Sequence, residues 1–221
     1  MFPIQSLRRR SRAPIFLITI IALNVIVFAY ELMLGPVLPT FIQVFGLRPA
    51  FFLSNWPVPA VVVWLPLLTS MFLHGGWLHL GGNMLFLWVF GSNVEDRLGH
   101  LSFLMLYLMA GFIAALAQVV MSSDSLVPII GASGAIAGVL GAHLILFPSA
   151  RIRTIIFVII IPFILDLPAF VLLAVWFLSQ FAAGVASLET GDAFYGGVAI
   201  WGHIGGFVAG ILLGGLLKPE G

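Results

Sequence analysis

Four polar residues lie within apolar stretches of the sequence and have the chemistry of a hydrolytic site: His79, Asn83, Ser133 and His203. A serine hydroxyl is a weak nucleophile until an adjacent base takes its proton, and histidine is the commonest such base. Ser133 with His203 therefore predicts a nucleophile and its general base. His79 and Asn83 are four residues apart, so they share one face of a helix.

The same residues could stabilise the negative charge that such an attack places on a carbonyl oxygen. Ser133 is predicted at the N-terminus of a helix, where backbone N–H groups have no intrahelical acceptor and attract negative charge. His79 and Asn83 could add side-chain donors. We therefore expect an oxyanion site formed by His79, Asn83 and the backbone amide of Ser133.

The positions of the acidic residues favour a dyad over a triad. The sequence contains eight Asp and Glu residues, and none is predicted in the outer half of a span near His203. Asp124, Glu189 and Asp192 are predicted in outer loops, so a loop acid that reaches the histidine stays an alternative. The sequence has no HExxH motif and no cysteine, which argues against a metal site, and no cofactor is expected.

The composition indicates that these residues belong to a membrane protein. Of the 221 residues 62% are hydrophobic and 8% are charged, whereas soluble domains have roughly 45–50% and about 25%. Too few polar side chains are present to cover a water-soluble surface. Nine Lys and Arg residues with a net charge of +1 also argue against a nucleic-acid partner.

An all-α bundle of six transmembrane helices is predicted, because six apolar segments are long enough to cross a bilayer. These segments are Ala13–Leu34, Trp77–Val94, Leu101–Met121, Val127–Phe147, Pro168–Ala186 and Val198–Leu217. Residues 1–221 are predicted to form a single membrane domain. Within it we expect a cytoplasmic tail (1–12), a first helix (13–34), a long outer loop (35–76) and helices two to six (77–217).

The basic residues determine the predicted orientation. If Val58–Leu73 does not cross, all Lys and Arg residues except Arg48 are cytoplasmic, as the positive-inside rule requires. If it does cross, Arg97 and the basic residues after it move outside. Both termini are therefore predicted to be cytoplasmic, and Ile152–Asp166 is predicted to be an interfacial connection on the same side.

Rows of small residues predict close contact between the helices that carry Ser133 and His203. Small residues recur at every fourth position on both helices: Gly202, Gly206, Gly210 and Gly214 on the sixth, and Ser133, Ala137 and Gly141 beside Gly134, Gly138 and Ala142 on the fourth. Such rows allow close backbone approach in membranes. A direct Ser–His hydrogen bond of about 2.6–3.2 Å needs that approach.

At these residues the sequence resembles the rhomboid family of intramembrane serine proteases, over roughly residues 60–217. Several separate motifs occur in the family's order: His79–Asn83 fits HxxxN, Gly91–Gly99 with Glu95 and Arg97 fits GxxxExRxG, Gly131–Gly134 fits GxSG, and His203 with Gly206 and Gly210 fits HxxGxxxG. The Trp-Arg pair that many members carry in the first outer loop is not found here.

The resemblance implies a compact six-helix bundle with a water-filled cavity open to the outer side. It implies Ser133 as nucleophile, His203 as general base, and His79 and Asn83 as oxyanion donors beside the Ser133 amide. The residues expected to give structural support are Gly131, Gly134, Gly206, Gly210, Glu95 and Arg97, the last two in an inner-face ion network. The fifth helix, Pro168–Ala186, would be a lateral gate with Trp176 and Phe177 as its gate side chains.

The predicted function is that of a serine endopeptidase that cleaves transmembrane-helix substrates near the outer membrane face. Its expected partners are single-span membrane proteins and the lipid bilayer, without metal or nucleic acid, and its expected location is a prokaryotic plasma membrane. The alternative is a catalytically silent relative that binds membrane helices in quality control. A small transporter ranks last, because the polar groups cluster on one side of the membrane rather than along a path.

Overall fold

The computed structural model describes residues 1–54, 59–190 and 198–218, which are mostly helical. The helices of the amino-terminal half are α1 (Ile15–Met33), α2 (Leu38–Phe45), α3 (Pro49–Leu53), α4 (Ala60–Thr69), α5 (Trp77–Phe86) and α6 (Ser92–Leu98). Those of the carboxy-terminal half are α7 (His100–Met121), α8 (Ser133–Leu146), α9 (Ala169–Thr190) and α10 (Ile200–Leu216). A π-helical turn, Leu87–Gly91, joins α5 to α6.

The structure is mostly helical, as predicted, but the fold is not all-α, because it also contains a three-stranded antiparallel sheet. Its strands are β1 (Phe2–Ser6), β2 (Arg151–Val158) and β3 (Ile161–Pro168), in the order β1-β2-β3. The predicted connection Ile152–Asp166 is thus a hairpin rich in β-branched residues, which favour strands. Part of the predicted tail 1–12 is the strand that pairs with it.

The helix lengths support fewer membrane spans than the sequence predicts. Within the described residues, three helices are long and apolar enough to cross a membrane: Ile15–Met33, His100–Met121 and Ala169–Leu188. Ala60–Phe72 and Trp77–Leu98 together would make a fourth, broken span with a bend of 79°. The 14 residues of α8 and the 17 of α10 fall short of the ~20 that a full crossing needs. Six spans and the orientation of the termini stay predictions.

The predicted outer loop, residues 35–76, contains secondary structure of its own. Helices α2, α3 and α4 lie within it, and the Thr69 hydroxyl donates to the carbonyl of Phe45 at 2.7 Å, which ties α4 to α2. Helix α4 has ten residues, too few to cross alone. Residues 55–58 of the loop lie outside the described residues.

Glu95 joins the start of α1 to the end of α6. Its carboxylate accepts hydrogen bonds from the backbone amides of Phe16 at 2.9 Å and Leu17 at 2.8 Å, and its Oε1 lies 2.6 Å from Nδ1 of His100. Those amides lie in the first turn of α1, where no intrahelical acceptor is available. The side-chain partner of Glu95 is therefore His100, and the ion pairs of the described residues do not include the exposed Arg97, so the predicted network of Glu95 with Arg97 is not observed.

Glu95→Gln is expected to lower the free energy of unfolding by about 2 kcal/mol, because one acceptor oxygen becomes an N–H₂ group that faces other donors. The measurement is chemical denaturation of the purified protein in detergent, followed by circular dichroism. Asp124→Asn is the control, since Asp124 is an exposed acid after α7. Equal stability of the two variants would contradict this role of Glu95.

Candidate active site

Helices α8 and α10 pack with their backbones in direct contact, as the rows of small residues predict. A Cβ atom on Gly206 would overlap the carbonyl oxygen of Gly134, and one on Gly210 would overlap the backbone of Gly138. Any larger side chain at these positions would push the two helices apart. The absence of side chains at these positions is therefore what brings the first turn of α8 beside the first turn of α10.

The contact places Ser133 next to His203. The hydroxyl oxygen of Ser133 lies 2.8 Å from Nε2 of His203, a hydrogen-bond distance between a hydroxyl and a ring nitrogen. Ser133 is the first residue of α8, so the amides of its helix turn have no intrahelical acceptor. The structure thus brings together the serine and the histidine that the sequence predicts as a pair.

The second ring nitrogen of His203 has a partner that the sequence analysis missed. Nδ1 of His203 lies 2.7 Å from Oε1 of Gln180, on α9. From the sequence only acids are candidates for a third member, whereas the partner is a neutral amide. Its signal was present, because Gln180 is a polar residue in the middle of a predicted span, where such residues are rare.

His79 and Asn83 of α5 lie beside the loop that precedes Ser133. The amide of Gly75 donates to Nδ1 of His79 at 3.4 Å, so Nε2 carries the proton when the ring is neutral. A Cβ built on Gly131 would lie 2.7 Å from that Nε2 and 3.7 Å from Nδ2 of Asn83. Gly131, with φ +121°, therefore leaves space for both nitrogens beside the backbone two residues before Ser133.

His74 orients the amide of Asn83. Nδ1 of His74 donates to the carbonyl of Phe72 at 3.3 Å, which leaves Nε2 to accept from Nδ2 of Asn83 at 3.0 Å. The backbone amide of His74 in turn donates to Glu31, on α1, at 3.2 Å. No role in the site is predicted for His74 from the sequence.

A cavity of about 250 Å³ lies beside these groups. Among the described residues four helices line it, α5 with His79 and Asn83, α8 with Ser133, α9 with Trp176 and α10 with His203. The two side chains of α9 that are predicted to form the gate, Trp176 and Phe177, do not both line this cavity. Trp176 lines the cavity, whereas Phe177 stacks on Phe207 of α10 with ring centroids 4.9 Å apart.

The described residues include no cluster of His, Cys, Asp or Glu that could hold a metal ion. Of the loop acids considered as partners of His203, Asp124 is exposed in the turn after α7. Asp192 and the side chain of Glu189 lie outside the described residues.

Comparison with known proteins identifies the same residues as part of a family domain. A family model described as "Rhomboid domain" matches residues 62–220. The chain is 30% identical over 183 residues to rhomboid-like protein 11, chloroplastic, of Arabidopsis thaliana, covering 80% of this chain and 59% of that protein. It is 37% identical over 150 residues to the rhomboid protease GluP of Bacillus subtilis, covering 66% of this chain and 25% of GluP.

A third relative is rhomboid protein 1, mitochondrial, of Saccharomyces cerevisiae, 35% identical over 155 residues, which cover 68% of this chain and 41% of that protein. The chain thus spans between a quarter and three-fifths of the length of these three relatives. The family and the apolar helices indicate a multi-pass membrane protein. The prediction of a prokaryotic plasma membrane is not supported, since the relatives include mitochondrial proteins.

Proposed function

The chain belongs to the rhomboid family, and from that premise we propose that it is an intramembrane serine endopeptidase with Ser133 as nucleophile and His203 as general base. The observation that carries this proposal is the 2.8 Å contact between the Ser133 hydroxyl and Nε2 of His203 at the wall of a cavity. GluP, named as a rhomboid protease, supports the same activity.

The proposed reaction begins when Nε2 of His203 takes the Ser133 proton as the oxygen attacks the carbonyl carbon of a substrate peptide bond. The negative charge that forms on the carbonyl oxygen is stabilised by the Ser133 amide and by Nε2–H of His79 and Nδ2–H of Asn83. His203 then gives its proton to the leaving amine. Water, activated by the same histidine, hydrolyses the ester on Ser133 and restores the hydroxyl.

We place this site in a single domain of six spans with both termini in the cytoplasm. The positive-inside distribution of the basic residues supports this topology. It puts the first turns of α8 and α10, and therefore the site, near the outer membrane face. The apolar segment 35–76 then lies at that face, and the sheet formed by β1, β2 and β3 lies on the cytoplasmic side.

The proposed substrates are single-span proteins whose transmembrane helix unwinds readily, because an intact helix hides its carbonyl groups. Gly, Pro or polar residues near the cleavage site would favour unwinding. Helix α9 is proposed as the lateral gate. Trp176, which lines the cavity, and Phe177, which packs on Phe207, support that role.

The test is cleavage of a single-span model substrate with a destabilised helix by the purified protein in liposomes, with products mapped by mass spectrometry. Ser133→Ala is the matched variant. Cleavage near the outer boundary by the parent alone would support the proposal, and equal cleavage by both would refute it. A folded parent that neither cleaves nor reacts with an active-site fluorophosphonate would favour the catalytically silent, helix-binding alternative.

Asn83→Ala is expected to lower kcat by on the order of 10²- to 10³-fold, the usual effect of removing one oxyanion donor. KM should change little, because the donor acts mainly on charge that develops in the transition state. The control is Asn93→Ala, which removes the same side chain from α6, where Asn93 contacts Ser6. An unchanged kcat for Asn83→Ala would contradict the proposed role of Asn83 as an oxyanion donor.

A further inference from the structure

Gln180 contacts the ring nitrogen of His203 that Ser133 does not use. Its Oε1 lies 2.7 Å from Nδ1, while the Ser133 hydroxyl lies 2.8 Å from Nε2, so the imidazole is held at both edges. We propose that Gln180 is a positioning residue that holds His203 with its proton on Nδ1 and its lone pair on Nε2. The inference rests on the proposed function, which assigns His203 as the base.

The chemistry of an amide oxygen explains this role. A neutral imidazole carries one proton, and only the ring nitrogen without it can accept the proton of Ser133. An amide oxygen is purely an acceptor, so it is satisfied when His203 carries its proton on Nδ1. When Nε2 takes the Ser133 proton, Nδ1–H continues to donate to Gln180. The proton on Nδ1 stays there throughout, and Gln180 itself gains and loses none.

The groups around His203 make a neutral partner suitable. The described residues that line the site include one other titratable side chain, His79 of α5, and no acid. Helix α7 contributes a second neutral amide, Gln118, whose Oε1 accepts from the Gly202 amide at 3.0 Å. An ionised carboxylate in such surroundings is costly within a bilayer. Gln180 orients the ring without adding a charge.

The packing of α9 determines where Gln180 lies. One face of α9 contacts α10 on both sides of Gln180, with Phe177 stacked on Phe207 and the Ser187 hydroxyl accepting from Nε1 of Trp201 at 3.2 Å. These contacts fix the amide oxygen opposite Nδ1. A movement of α9 away from α10 would remove this acceptor from the base.

The kinetic test compares Gln180→Leu with Ser187→Ala in the purified protein. The leucine leaves Nδ1–H without an acceptor, and we expect kcat to fall on the order of 10- to 100-fold with KM unchanged. Ser187→Ala removes a hydrogen bond from the same pair of helices without touching His203, so its kcat should match that of the parent. An unchanged kcat for Gln180→Leu, or an equal loss in both variants, would overturn the proposal.

Gln180→Glu is a conservative variant that should restore activity, and the direction in which it moves the pH profile of kcat is a second measurement. It retains an acceptor oxygen, so activity should be recovered relative to Gln180→Leu. The added negative charge stabilises the protonated form of His203. The acidic limb of the pH profile of kcat should therefore move to higher pH. If that limb stays in place, the side chain at position 180 does not contact the His203 ring, and the proposal is wrong.

The tautomer of His203 can be measured without turnover, which separates this inference from the proposed function. Nitrogen NMR of ring-labelled histidine, assigned with His203→Gln, should show the proton on Nδ1 in the parent and a mixture of tautomers in Gln180→Leu. A proton on Nε2 in the parent would mean that the amide of Gln180 donates instead, and it would overturn the proposal. Equal cleavage by the parent and Ser133→Ala would refute the proposed function but leave this measurement valid.

Discussion

Replacing Ser133 by alanine is expected to lower kcat about 10⁴-fold or more, and replacing His203 by alanine should have a comparable effect. The two side chains act as one unit, because the Ser133 hydroxyl is reactive only when Nε2 of His203, 2.8 Å away, accepts its proton. The double variant should therefore be no less active than either single variant. Single-turnover cleavage of a membrane substrate in liposomes measures all three rates.

The control for this prediction is Ser123→Ala, which removes an exposed hydroxyl after α7 and should leave kcat unchanged. Thermal unfolding must show that the Ser133 and His203 variants remain folded. Substrate binding by Ser133→Ala should be retained, because the loss falls on the chemical step. If the two single losses instead multiply in the double variant, the residues act independently and the proposed pair is wrong.

The sequence was sufficient to predict the residues of the site that share motifs and small-residue rows. Ser133 and His203 lie in helices whose rows of small residues predict close contact. His79 and Asn83 are four residues apart, which places them on one face of a helix. These are local patterns, so they can be recognised without a structure. The contact of Ser133 with His203 is confirmed, whereas their catalytic roles stay predictions.

The features that sequence reasoning missed depend on contacts between distant segments. Gln180 lies on α9 and contacts His203 on the neighbouring helix α10. No motif marks this position, because any hydrogen-bond acceptor on that face of α9 could accept from Nδ1 of His203. Strand β1 pairs with β2 about 150 residues later, so its partner cannot be read from the short segment before α1. The hairpin of β2 and β3 is not predicted from the sequence, because its apolar composition fits a membrane-facing connection equally well.

Gly210→Val is expected to lower the free energy of unfolding by about 3 kcal/mol or more, at the upper end of the range for overpacking. A Cβ at this position would overlap the carbonyl group and Cα of Gly138, and backbone atoms cannot rotate away as a flexible side chain can. Helices α8 and α10 would therefore have to separate. The separation would also lengthen the contact between Ser133 and His203, and a misplacement of about 1 Å lowers the rate on the order of 10²-fold.

The matched control is Gly215→Val, which makes the same substitution in the same helix. A Cβ on Gly215 meets no atom within 4 Å, so this variant changes helix propensity without changing the contact of α8 with α10. Denaturation in detergent and cleavage of the membrane substrate should show loss of both stability and kcat for Gly210→Val alone. If both variants lose stability equally, valine acts through the helix itself and not through the contact with Gly138. If Gly210→Val loses stability but keeps kcat, the Ser133–His203 distance does not depend on this contact.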